Sequence, residues 1–184
     1  NEIMPKGFMA VRKGKREMTW RNDKPATLSY VTALDEGDPA NKVDFRDEVF
    51  LWDAPFDKEA SSLVKTPQRF ITITWGNDNV AVVSDEWYDT RNEKTYLINP
   101  SDANQQPKLI TDRNSQDVYS DPGVFETRKN AYNKYVLAIE KNNLYRIGEG
   151  YTKNGQFPFV DEFNLETLKS KRIYTSPYKD KKED

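Results

Sequence analysis

The chain has 184 residues, of which 36% are hydrophobic, 12% aromatic and 32% charged, and its 28 basic and 30 acidic side chains leave a net charge of −2. That is enough chain for one domain with a proper core, while the near-cancelled charge excludes the basic stripe that a nucleic-acid binder needs to displace counterions. No apolar run approaches the roughly 20 residues of a membrane-spanning helix, and cysteine and histidine are both absent.

In chain order the predicted elements are almost all strands. Residues 1–15 are expected to be a connector. Arg16–Trp20 alternates and runs into the polar turn 21–25, and 26–34 is rich in β-formers. Asp35-Glu36-Gly37-Asp38-Pro39 is a strong turn sequence, and 46–52 and 62–66 complete a first unit. In the second unit, 69–75 (Arg-Phe-Ile-Thr-Ile-Thr-Trp) alternates with period two, as a half-buried strand should. Strands at 79–84, 94–98 and 108–111 follow, then a polar linker at 112–117. The third unit is read as strands at 124–128, 135–140, 158–164 and 171–175, with 145–147 a short extra segment and 165–169 a hairpin turn.

These units share a period. Trp20 and Trp75, Asp23 and Asp78, and Ala26 and Ala81 each stand 55 residues apart, and Asn133 lies 55 beyond Asp78. Four short strands recurring at about 50 residues are the signature of a β-propeller blade. The expected fold is therefore all-β: about three four-stranded antiparallel blades of a partial propeller, at 16–66, 67–122 and 123–178, with a charged tail at 179–184. A chain starting at Asn1 and holding half a propeller is expected to be a piece of a longer protein.

The candidate sites mostly have structural readings. Without His the usual general base of Ser, Cys and Thr hydrolases is missing, and there is no Gly-x-Ser-x-Gly elbow and no phosphate-cradling loop. No catalytic residue, cofactor site or metal site is assigned. Trp-x-Asn-Asp recurs at one phase of the repeat, which suits turn-setting carboxylates better than a catalytic pair. A glycoside-active alternative would use Asp23, Asp78 or Glu86 as paired carboxylates. Asp112-x-Asn114-x-x-Asp117 lacks the Gly and closing Glu of a calcium loop and reads as a solvated linker. The basic clusters at 12–16 and 169–172 are flanked by acids and read as surface salt bridges.

Several of these motifs also resemble a known family. Trp20-Arg21-Asn22-Asp23-Lys24-Pro25-Ala26-Thr27-Leu28, then Ala33-Leu34-Asp35-x-Gly37-Asp38-Pro39 with Arg46-Asp47, is similar to the propeller domain of the glutamyl endopeptidase-like branch of the prolyl oligopeptidases. Ser120-Asp121-Pro122-Gly123, Gly155-x-x-Pro158-Phe159-x-Asp161-x-Phe163 and Lys171-Arg172-Ile173 extend the resemblance along the chain. It implies a serine peptidase in which the propeller caps an α/β-hydrolase domain and admits peptides while excluding folded proteins. No position here matches that family's nucleophile elbow or catalytic His. Arg128 and Arg146 are candidate partners for an acidic peptide side chain, with surface salt bridges as the alternative.

The expected function is thus a non-catalytic propeller piece that gates peptide access, with the hydrolase domain of the same parent chain and peptide substrates as its partners. A stand-alone module binding peptide or carbohydrate is the alternative. The isolated piece is expected to self-associate through uncovered blade faces, without nucleic acid or membrane as partner. An exported, periplasmic setting is favoured over the cytoplasm.

Overall fold

The computed structural model describes residues 5–178; the charged tail and residues 1–4 of the connector lie outside them. Three four-stranded antiparallel sheets follow one another along the chain. The first holds β1 (Arg16–Trp20), β2 (Thr27–Ala33), β3 (Asp47–Asp53) and β4 (Ser61–Thr66), in that spatial order. The second repeats the meander with β5 (Arg69–Asn77), β6 (Val80–Trp87), β7 (Asn92–Ile98) and β8 (Lys108–Asn114). Asp112 and Asn114, read from sequence as linker, thus extend β8, where they pair with Lys94 and Asn92. A 3-10 turn, Val118–Ser120, leads on to the third sheet.

The third sheet corrects the sequence reading. The segment at 124–128 is not one strand but two, β9 (Val124–Phe125) and β10 (Thr127–Lys129). Glu126 divides them: its N–H bonds Tyr145 O at 2.8 Å, and its carbonyl accepts Ala138 N at 2.9 Å. One residue hands the chain from the sheet to a side hairpin, in which β10 pairs β11 (Tyr135–Leu137). The segment at 135–140 therefore leaves the blade. The short piece expected at 145–147 is instead the interior strand β12 (Asn143–Gly148), flanked by β9 and β15 (Phe159–Asn164). A minor hairpin of β13 (Tyr151–Thr152) and β14 (Gly155–Gln156) intervenes, and β16 (Ser170–Thr175) is the outer edge. The turn before β16 is set by Asn164, whose Oδ1 accepts Thr167 N at 2.9 Å.

The sheets pack face to face through two apolar seams. Period-two alternation sends Val31, Val49 and Leu51 of the first sheet to one face, where they meet Trp75, Ala81, Val83 and Ile98 of the second. The opposite face of β6 and β7 offers Val82 and Leu97 to Leu144, Phe163 and Leu165 of the third sheet. Leu137 joins this second seam, so Val136 and Leu137 are buried although they belong to no blade strand. Its hairpin also reaches back to the first sheet, since Asn130 Nδ2 bonds Asn22 O at 2.7 Å and Asn22 Nδ2 bonds Tyr135 O at 2.9 Å. Three successive meanders stacked this way are blades of a β-propeller.

At one end of the first seam the apolar packing gives way to buried charge. Only Pro67 and Gln68 separate β4 from β5, so Arg69 is delivered to the ends of the first sheet. It forks onto Asp35 (2.7 and 2.9 Å) and reaches Asp47 Oδ1 at 3.1 Å. Asp47 also accepts Phe70 N at 2.7 Å and pairs with Arg16, while Arg46 reaches Asp35 at 2.8 Å and lies 3.9 Å over the Trp87 ring. Arg69 Nε holds Met9 O at 2.9 Å, which docks the connector on the same cluster. Gly37 completes the turn around Asp35 with φ +74°; a Cβ there would sit 1.9 Å from Val11 O.

Asp47 is fully buried, so removing its carboxylate leaves Arg16 and part of Arg69 without a counter-ion and the Phe70 N–H without an acceptor. Asp47→Ala is expected to cost about 3–5 kcal/mol in urea denaturation. An exposed control, Glu140→Ala, should cost less than about 1 kcal/mol.

Candidate functional site

The candidate site follows from how differently the two blade junctions end. The step from β5 to β9 repeats the 55-residue interval, so Val124 stands where Arg69 stood one blade earlier. Val124 carries no charge and is largely exposed. No acid cluster can gather on it, and a cleft of about 510 Å³ stays open between the second and third sheets. Its second-sheet wall carries Thr72, Thr74, Ser84, Thr95 and Thr111. Phe125 and Arg146 line it from the third, and Thr127 from the side hairpin.

Arg146 lies at the bottom, 5% exposed. Its guanidinium sits 4.2 Å over Phe125 and 5.0 Å over Phe163, and Nη2 reaches Thr111 Oγ1 at 3.4 Å. Burial pulls it down to about 10, with nearby Asp161 pulling the other way. Asp161, its cross-strand neighbour, is engaged through both oxygens by Arg172. Arg113 stands on the other wall, paired with Glu93 at 3.2 Å and donating to Asp117 O at 2.9 Å. Arg128 lies elsewhere, in an exposed pair with Glu140 at 2.8 Å. Of the two arginines singled out in the sequence, only Arg146 faces this cleft.

The repeated carboxylates serve other ends. Asp23 accepts both arms of Arg21 (3.0 and 2.6 Å), and that guanidinium lies 4.4 Å over Trp75 of the next sheet. Asp78 meets Lys24 at 2.8 Å, across the same junction, and the hydrogen bond and charge of Lys24 hold its carboxyl below the usual carboxylate range. Glu86 accepts the Ser115 hydroxyl at 2.8 Å. In the former calcium-like segment, Asp112 accepts Asn92 Nδ2 and Asp117 caps the 3-10 turn. No group of three acidic, His or Cys side chains is placed to hold a metal ion among the described residues.

Sequence reasoning missed the buried acids altogether. Asp35 and Asp47 read as turn and strand-start residues, and Asp85 passed unnoticed inside β6. The available signal was period two: Asp85 falls on the same face as Ala81 and Val83, which are core. Asp85 is fully buried and accepts Gln68 N at 3.0 Å through one oxygen, while the other oxygen has no hydrogen bond. Burial pushes it from 3.8 up to about 6, with Asp47 and Asp112 adding like charge and the Gln68 N–H and Lys94 opposing. The same acid and burial push the Tyr96 phenol up.

The blades and their cleft define a segment of a β-propeller. No protein-family model matches the chain. It is 38% identical over 182 residues to a probable chloroplastic glutamyl endopeptidase of Oryza sativa subsp. japonica, covering 95% of this chain and 19% of that protein. It is 37% identical over 183 residues to the protein of the same description in Arabidopsis thaliana, with the same coverage. The chain's sequence relatives are thus glutamyl endopeptidase-like, as the motifs led one to expect, and it spans about a fifth of their length. Among solved structures, an oligogalacturonate lyase in complex with manganese aligns over 88% of this chain and 36% of its own, at TM-score 0.43 and 13% identity.

The raised Asp85 sets a pH dependence with a definite sign. An acid whose folded value exceeds its unfolded one weakens the fold as pH rises between the two, here from 3.8 to about 6. Asp85→Asn keeps the acceptor for Gln68 N–H and removes the charge. It is expected to stabilise the chain by up to about 3 kcal/mol at pH 8 and by almost nothing at pH 4. Urea midpoints of variant and parent at both pH values check this; an Asn variant weaker at pH 8 would contradict the reading.

Proposed function

We propose that the chain is part of the propeller of a serine peptidase of the prolyl oligopeptidase family. In this reading it admits peptides to an α/β-hydrolase domain carried elsewhere in the same protein. The observation that carries it is identity of 37–38% to probable glutamyl endopeptidases, spread over 95% of the chain and not confined to one motif. These 184 residues hold no histidine, so in this reading the base of a Ser-His-Asp machine comes from elsewhere in the parent. The relatives are chloroplastic by name, which fits a parent delivered to a separate compartment. Delivery to the periplasm is the form of that reading drawn from the sequence.

The first sheet favours a second reading. Its face away from the second sheet is aromatic: Tyr30 stacks on Phe50 at 5.3 Å, and Phe56 packs between Trp52 (5.2 Å) and Trp20 (6.1 Å). Lys15 lies over Tyr30 and Trp52. Such a platform suits sugar stacking in a stand-alone binding module. In the peptidase reading it is instead a surface on which a further blade packs, and the 184-residue piece alone would self-associate through it.

Two measurements separate these readings. The native protein bearing this sequence, purified from its source, should react with a serine-directed fluorophosphonate, the label falling on a peptide outside these 184 residues. A protein that folds, contains this sequence and takes no label would sink the peptidase reading. In sedimentation, the isolated 184-residue chain should show mass above 21.4 kDa that rises with concentration, and Trp20→Ser with Trp52→Ser should lower it. A monomer at every concentration would count against a blade-packing surface.

A further inference from the structure

We propose that the cleft between the second and third sheets binds a carboxylate, held by the guanidinium of Arg146. The inference stands on the cleft itself and does not depend on the peptidase reading. Four arginines are buried among the described residues: Arg16, Arg21, Arg69 and Arg146. The first three are each matched by a carboxylate, Asp47, Asp23 and Asp35 respectively. Arg146 alone among these four has no carboxylate within ion-pair distance. Its one protein hydrogen bond is the long contact to Thr111, and its Nε has no acceptor at all.

A buried, uncompensated guanidinium is costly, and proteins normally supply its counter-charge. Here the natural candidate, Asp161, is held by Arg172 on the same sheet. Phe125 and Phe163 fix the guanidinium by lying against its π-face. They leave its edge, with the N–H groups, as the part still needing an acceptor. Planar fork geometry matches a carboxylate through two parallel N–H···O bonds.

The rest of the cleft is built to accept such a group. The acids that also line it are already engaged, Glu93 by Arg113 and Asp121 by the Gly123 N–H at 2.9 Å. Threonine hydroxyls on the facing wall supply further donors. A volume of about 510 Å³ is more than a bare ion needs and suits a small organic acid or an acidic side chain.

The test is an NMR titration of the isotope-labelled chain with glutarate, and separately with inorganic phosphate, following the arginine Nε–Hε signals. Glutarate should shift the Arg146 signal saturably, and Arg146→Gln should weaken binding at least tenfold. Arg146→Lys, which keeps the charge but not the fork, should weaken it by a smaller factor and serves if the Gln variant does not fold. Arg128→Gln should leave the affinity unchanged. Absence of a saturable shift, or equal affinity in folded Arg146 variants, would overturn the site. Phosphate binding more tightly than glutarate would overturn the carboxylate assignment. Phosphonate labelling of the native protein is a separate readout, so failure of one proposal leaves the other standing.

Discussion

Everything in the first two blades leans on the guanidinium of Arg69. It is the first residue of the second sheet, yet its ligands belong to the connector and to the first sheet: Met9 O, Asp35 and Asp47. Two buried acids need counter-charge, and here the Arg69 fork, the Phe70 N–H and two further arginines supply it, although Arg16 Nη1 is left without an acceptor. Because a two-residue link separates β4 from β5, the cluster fixes the angle at which one blade follows the next. The apolar seam beside it supplies burial without direction; the charges supply the register.

The next junction shows what happens without that arginine. Val124 occupies the equivalent place and cannot collect acids, so the strand ends spread and a cleft forms. The apolar seam of Leu137, Leu144 and Phe163 holds the blades together at the other end. The side hairpin compensates further by bridging from the third unit back to the turn at Asn22. One junction is thus tied by buried charge and holds only smaller clefts, and the other opens into the larger cleft around Arg146.

Asp85 illustrates the cost of such construction. It sits on a core face because alternation places it there, and its charge is tolerated through one N–H and a distant lysine. The charges of Asp47 and Asp112 raise it further. Burial here works against the ionised form; Asp35, by contrast, is ion-paired with Arg46 and Arg69.

Much of the architecture was legible without coordinates. The 55-residue offset of Trp20 and Trp75, and the clean alternation of β5, already specified blades made of short antiparallel strands, because side-chain period and repeat period are local properties. Arg146 could be named from sequence, but its burial could not, nor its separation from Arg128. The third unit failed for a related reason: the run at 135–139 is apolar because it joins the seam, and apolarity alone cannot distinguish a blade strand from a hairpin packed on one. Glu126, which divides its hydrogen bonds between two sheets, carries no sequence mark of doing so. By itself the sequence determined the fold class, the turns and the charge balance, which depend on neighbours along the chain. Only the tertiary structure decided which charges meet, because Arg69 finds Asp35 across 34 residues while Arg146 forms no ion pair with its neighbour Asp161, which Arg172 holds, a matter of where the sheets bring side chains together.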